Sequence, residues 1–184
     1  MRIYSDCFFY INFRKNKFNF EMFNRKKLLM DISVIKSFTE LKNIAVVGVS
    51  SKGNGFGISV FNHLKDNGYN VFAVNKNGGF WKDVKLHSSL SQIGNKIDGL
   101  ITVVPPAVTE NIVREAKELG IKYIWMQQGS ESKNAIEYCE ENGMQVISGE
   151  CILMFIEPVK SIHSFHRWLN KLTGKYPKSE NTDK

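Results

Sequence analysis

Cysteine is scarce in this 184-residue chain: Cys7, Cys139 and Cys151 are odd in number and widely spaced. That excludes a disulfide framework, and the absence of any CxxC pair removes the usual signature of a zinc site. Such thiol usage suits a reducing, cytoplasmic setting. No apolar run approaches the roughly 20 residues a membrane helix needs. The stretch Cys7–Ile11 is too short for a signal-peptide core, and Asn and basic residues follow it without a small-residue cleavage site. Neither secretion nor a membrane is expected. A basic folded surface is missing as well. Residues 1–30 hold seven basic residues against Asp6 and Glu21, so only +2 of the net charge of +7 belongs to the rest. That leaves no phosphate-backbone footprint, and no nucleic-acid partner is expected. The basic head itself reads as a run of solvated charge.

The head, residues 1–29, is rich in Phe, Asn, Lys and Arg with no period of two or 3.6, and is expected to be disordered or weakly structured. Met30 opens a short amphipathic segment ending near Leu41 and is a candidate true start of the protein. From Asn43 onward strand and helix patterns alternate. Strands are expected at Ile44–Val49, Asn70–Val74, Ile97–Val104, Lys122–Gln127 and Met144–Ile147. Helices are expected at Gly57–Asn67, Ala107–Leu119 and Glu131–Asn142, with a weaker helical turn near Ser88–Ile93. Gly68, Gly120 and Gly143 stand where left-handed helix caps would fall, and Pro105-Pro106 stops one strand and starts the next helix. The alternation predicts an α/β fold, a Rossmann-like doubly wound parallel sheet of five strands. A C-terminal helix is expected over Leu153–Leu172, where apolar residues recur at helical intervals and Pro158 can divide it. The domain is placed at residues 30–176 and a polar tail at 177–184.

Ligands of such sheets bind beyond the carboxyl ends of the strands, so the residues there are the candidates. After the first strand, Gly48-Val49-Ser50-Ser51-Lys52-Gly53-Asn54-Gly55-Phe56-Gly57 runs straight into a helix. Glycines allow close backbone approach and helix-start amides favour an anion, which suits a diphosphate. The rival reading is a glycine-rich turn that only packs helix on strand. Ser50 could donate to a phosphate oxygen. It is no nucleophile elbow, because Lys52 stands where that motif requires glycine. No Gly-Lys-Ser/Thr ends the run, which excludes a Walker A loop.

The second strand ends in Asn75-Lys76, without the acid that takes a ribose hydroxyl pair in NAD-binding domains. Lys76 suits a phosphorylated ribose, or is an ordinary solvated turn residue. Val104-Pro105-Pro106 offers an apolar lip for a flat base. Gln128 and the Gly129 amide could reach a phosphate or an amide, or Gln128 only caps. Cys151 is expected on the ligand side of the sheet, or as a small buried apolar residue. His163 and His166 lie three apart on the expected C-terminal helix, a spacing that more often serves packing than a metal.

Together the segments IAVVGVSSKGNGFG, VFAVNKN, DGLITVVPPAVTENIVREA, KYIWMQQGSES and GECILMFIEPV resemble the stand-alone coenzyme A-binding domain family. That family is related to the nucleotide-binding half of the succinyl-coenzyme A ligase alpha subunit. The resemblance runs from about Met30 to Tyr176. It implies a Rossmann-like fold, coenzyme A as cofactor, free or acylated, and a cytoplasmic location. It places Gly48, Ser50 and Gly55 in the diphosphate loop, Asn75 at the second strand end, Pro105 and Pro106 at the adenine-side lip, and Gln128 and Gly129 in the fourth-strand loop. Ser51, Phe56, Gly57, Lys76, Val104 and Cys151 complete the candidate set. One departure stands out: Lys76 occupies the place where the family commonly has proline after Val-Asn.

The expectation is therefore a small cofactor-binding module, a sensor or carrier without a complete catalytic apparatus, with a homo-oligomer left open. The alternatives are an NAD(P)-dependent oxidoreductase, for which no substrate domain or catalytic dyad is legible, and a nucleotide-responsive regulator, for which no basic recognition helix is legible.

Overall fold

The computed structural model describes residues 32–156. A first helix, α1, covers residues 32–39. It is followed by β1 (Asn43–Val47), α2 (Phe56–Asp66), β2 (Asn70–Val74), β3 (Gly79–Trp81), β4 (Val84–His87), β5 (Gly99–Thr102), α3 (Pro106–Glu118), β6 (Tyr123–Met126), α4 (Lys133–Glu141) and β7 (Gln145–Ser148). The strands form one sheet in the order β3-β4-β2-β1-β5-β6-β7. All neighbours pair in parallel except β3 and β4, which form an antiparallel hairpin at one edge.

Both faces are covered, as near-continuous apolar strands require. Ile44, Val46, Ile101 and Trp125 face one side and pack against Phe38 of α1, Ile58, Phe61 and Leu64 of α2, and Ile152–Ile156. Ala45, Val47, Leu100, Ile124 and Met126 face the other and pack against Val113 and Ala116 of α3 and Ala135 and Cys139 of α4. On the first side the Trp125 ring meets Phe38 at 5.3 Å and Phe155 at 5.5 Å between centroids, and its Nε1 donates to Glu150 O at 3.0 Å. That bond satisfies the one polar atom of a fully buried indole.

The three expected helices form within one or two residues of their predicted ends, and Gly68, Gly120 and Gly143 adopt left-handed φ of 82°, 72° and 68° behind them. The strand count is a correction: seven, not five. The two extra strands are the β3–β4 hairpin, which lies where no strand pattern was legible. They are only three and four residues long, and Lys82-Asp83 connects them with Lys82 at φ 51° instead of the Asn-Gly or Asp-Gly that marks such turns. The turn expected near Ser88–Ile93 is a single turn in which Leu90 O accepts from Ile93 N at 2.9 Å and from Gly94 N at 3.2 Å. At the other end, Ile152–Met154 is a single buried 3-10 turn. The rest of the expected C-terminal helix, His163, His166, the head and the tail lie outside the described residues.

Candidate functional site

β1 sits between β2 and β5. The chain leaves β1 through α2 to β2 on one side and reaches β5 on the other, so the strand order reverses beside β1. A crevice opens beyond the carboxyl ends at such a switch point. At its base the two sides touch: Val103 N donates to Val47 O at 2.8 Å, while Gly48 N and Val49 N both donate to Val74 O, at 3.0 and 3.2 Å. Gly48 has φ 107°, and a Cβ there would stand 2.2 Å from Val103 O. A Cβ on Gly57, in the first turn of α2, would stand 2.2 Å from Gly48 O. Both glycines are therefore needed to bring strand, loop and helix together.

Gly55 differs. It precedes α2 at φ 90° and ψ 169°, a region essentially reserved for glycine, and nothing lies within 4 Å of where its Cβ would be. No side chain caps α2. Ile58 N donates to Gly55 O at 3.2 Å, which leaves the amides of Phe56 and Gly57 at the positive end of an 11-residue helix. Ser50, expected to donate to a ligand, donates instead to Asn54 Oδ1 at 3.2 Å and accepts from Lys52 N at 3.2 Å, which shapes the loop internally. Ser51 and Phe56 are exposed.

Asn75 spends its side chain on the protein: Nδ2 donates to Val49 O at 2.8 Å and Oδ1 accepts from Asn77 N at 3.0 Å. It therefore ties the end of β2 to the first loop. Lys76 next to it is exposed. Across the switch point, Pro105 and Pro106 are exposed at the start of α3, with Val104 half-buried behind them. The lip is held from below by Ser130, only 1% exposed, whose hydroxyl accepts from Val104 N at 2.8 Å and donates to Val104 O. Thr109 Oγ1 lies 3.5 Å from Ser130 Oγ. Gln128 is exposed and donates from Nε2 to Gly149 O at 3.0 Å, joining the loops after β6 and β7, and Gly129 is open at φ 86°.

Cys151 is not brought to the crevice. It lies in the core at 7% exposure, and burial raises its thiol pKa, with hydrogen bonds from Leu153 and Gln127 opposing and Glu150 adding to the rise. Burial and then Glu140 push Cys139 up to about 12. Among the described residues no group of three or more His, Cys, Asp or Glu could hold a metal ion, and no helix is long and apolar enough to cross a membrane.

Three contributors escaped the sequence reading. Ser130 follows Gln128-Gly129 in the loop after β6. Gln127, 3% exposed, accepts from Ile152 N at 3.1 Å and anchors the chain after β7. Trp81 of the hairpin leans on the first loop: a Cβ on Gly53 would stand 2.3 Å from its Nε1, and its ring meets Phe61 edge-on at 6.1 Å. No pattern could have found it without the hairpin.

A largely parallel, doubly wound sheet with a glycine-rich turn leading from its first strand into a helix defines the class: a Rossmann-like domain. The comparisons with known proteins narrow this. The CoA binding domain family matches residues 42–157, and the chain belongs to that family. It is similar to the acetate–CoA ligase (ADP-forming) II subunit alpha of Pyrococcus furiosus, 29% identical over 126 residues. The match spans 62% of this chain but only 28% of the ligase subunit. It is also similar to the uncharacterised protein YneT of Bacillus subtilis, 31% identical over 111 residues, 60% of this chain and 82% of YneT. Among solved structures, a conserved hypothetical protein from Pyrococcus furiosus superposes with a TM-score of 0.58 at 31% identity, covering 61% of this chain and 97% of that one.

Proposed function

We propose that the chain is a cytoplasmic coenzyme A-binding module that holds the cofactor, free or acylated, in the crevice beyond β1 and β5. One observation carries the reading beyond family membership. The exposed large hydrophobic side chains among the described residues are Phe56, Phe80 and Val108. Phe56 sits at the start of α2 and Val108 in the first turn of α3, so both border the loops at the carboxyl side of the sheet, while Phe80 lies in the edge strand β3. An apolar rim around uncapped helix amides suits a ligand with a diphosphate between a flat base and a long, weakly polar arm.

The residues present fit that ligand. Gly55 and Phe56 open α2 toward the diphosphate. Val104, Pro105 and Pro106 form the lip for the base, and Gly129 leaves open space where a Cβ would be, along which the arm would pass. Gly48, Ser50, Asn75 and Gln128 act one step removed, by holding these loops in shape. Coenzyme A supplies a thioester-forming thiol at the end of its arm. The role proposed for the protein is to hold and orient that arm, without a catalytic apparatus of its own within this domain.

Equilibrium dialysis of the full chain against coenzyme A, NADH and NADPH tests the proposal. Saturable binding of coenzyme A, with NADH at least tenfold weaker, is expected. The absence of an acid at Asn75 already argues against a ribose diol. Preferential binding of NADH would replace this reading with that of an oxidoreductase domain.

A further inference from the structure

The sheet ends on two unlike strands. At one edge β7 exposes the polar Gln145 and Ser148, with Val146 half-buried and Ile147 buried between them. At the other edge β3 carries Phe80, 67% exposed and the most open of the large hydrophobic side chains among the described residues. An edge strand is a template for another strand unless charge, proline or a bulge blunts it. Gly79-Phe80-Trp81 has no charge and no proline, and it pairs with β4 residue for residue.

The hairpin register fixes what this edge offers. Trp81 and Val84 flank a two-residue turn, so they exchange both hydrogen bonds, and the next pair, Phe80 and Lys85, is the wide one. Phe80 therefore directs its N–H and C=O away from β4, out of the sheet. Trp81, Val84 and Leu86 pack into the core on the α2 side. Alternation puts the Phe80 ring on the opposite face, beside Lys85.

Free backbone groups centred on one residue are self-complementary about a two-fold axis. Laid antiparallel on a second copy, Phe80 donates to and accepts from Phe80 of that copy. The two rings then lie on one face at the Cβ spacing of about 5 Å that directly opposed residues have. A Lys85 ammonium flanks each ring on its outer side. Gly79, with nothing within 4 Å of where its Cβ would be, falls opposite Trp81 of the second copy, small against large. Extending the same register brings the exposed Asp83 of one copy beside the exposed Lys76 of the other, and neither has an ion-pair partner among the described residues.

We propose that β3 is a homodimerisation edge, where a second copy of this chain adds its own β3 antiparallel and joins the two sheets through Phe80. The two-fold axis reverses the strand directions. The crevices beyond β1 therefore open at opposite ends of the joined sheet, and the contact neither covers nor completes the cofactor site.

Sedimentation equilibrium of the full chain over about 1–100 μM tests the inference. The wild type should reach twice the mass of one chain at the top of that range. Phe80→Pro removes the outward donor without touching a bond to β4, and Phe80→Lys keeps the donor but sets two ammoniums on the axis. Both should weaken association by about tenfold or more, with thermal melts matching the wild type. Phe56→Lys, a like change at another exposed ring, should leave the dimer intact. Phe80→Cys in a Cys7→Ser background should form an intermolecular disulfide on mild oxidation, because opposed Cα atoms lie within disulfide reach. A chain that is monomeric throughout, a dimer that both Phe80 variants leave unchanged, or one lost equally in Phe56→Lys overturns the inference. So does the absence of the disulfide, which decides the matter even where Phe80→Pro disturbs the hairpin.

Discussion

The loops that follow β1 and β2 are both rich in glycine, yet they use it in opposite ways. After β1, Gly48 and Gly57 press against backbone and Gly53 against Trp81, so the missing side chains make room for the protein itself. After β2, Gly78 has only ordinary contacts and Gly79 faces open space. The first loop is built by close approach of chain to chain, and the second leaves open space beside the edge strand. Within the first loop Gly55 alone has both a glycine-only backbone and space beyond it. Glycine density therefore locates a loop but does not say which glycine a ligand sees.

Substitutions sharpen this contrast. Gly48→Val should have the largest effect, a loss of about 3 kcal/mol or more from overpacking and backbone strain together, read as a lower urea midpoint. A folded Gly48→Val protein of normal stability would break the comparison. Gly55→Ala should cost about 1–3 kcal/mol through its backbone alone, leave a folded protein, and lower coenzyme A affinity by more than tenfold. Affinity equal to wild type in that variant would remove the loop from the site.

Ser130→Ala comes next. It strands the half-buried Val104 amide, so a loss of about 1–2 kcal/mol is expected, with weaker coenzyme A binding as the lip loosens. Asn75→Ala should cost about 1–2 kcal/mol by cutting the tie to Val49 and Asn77, again read by urea unfolding. The smallest effect concerns the thiols. Burial raises the pKa of both Cys139 and Cys151, so each stays protonated at neutral pH, and the reactive thiolate appears only as pH rises toward the raised value. Native protein should leave both unalkylated at pH 7.5 by mass spectrometry, whereas urea-unfolded protein should be labelled at both. Rapid native labelling of Cys151 would return it to the ligand side.

The sheet core was legible because its strands are continuous apolar runs, Ile44–Val49 above all, separated by helices with glycine at their ends. Those signals are local. The hairpin was not legible, since its strands are short and Lys82 supplies by tertiary context the left-handed turn that glycine or asparagine would advertise. The positions of the strand-end loops followed from the same alternation, and Gly55, Pro105 and Gly129 stand in the loops that follow β1, β5 and β6. Side-chain roles did not follow. Ser50, Asn75 and Gln128 carry groups that suit a ligand, but each closes its hydrogen bonds on its own or a neighbouring loop. Such pairing depends on where chain segments meet and leaves no trace in spacing. Of the two readings of Cys151 the buried one holds: Gln127 accepts from Ile152 N and draws the segment after β7 inward.

Hydrogen–deuterium exchange of the full chain with and without saturating coenzyme A tests the central claim most directly. The account predicts slowed exchange in peptides covering Gly53–Gly57, Val104–Val108 and Gln128–Ser130. The helices α3 and α4 should be unaffected beyond their first turns. Absence of protection in the Gly53–Gly57 peptide, or protection confined to segments away from these loops, would contradict it.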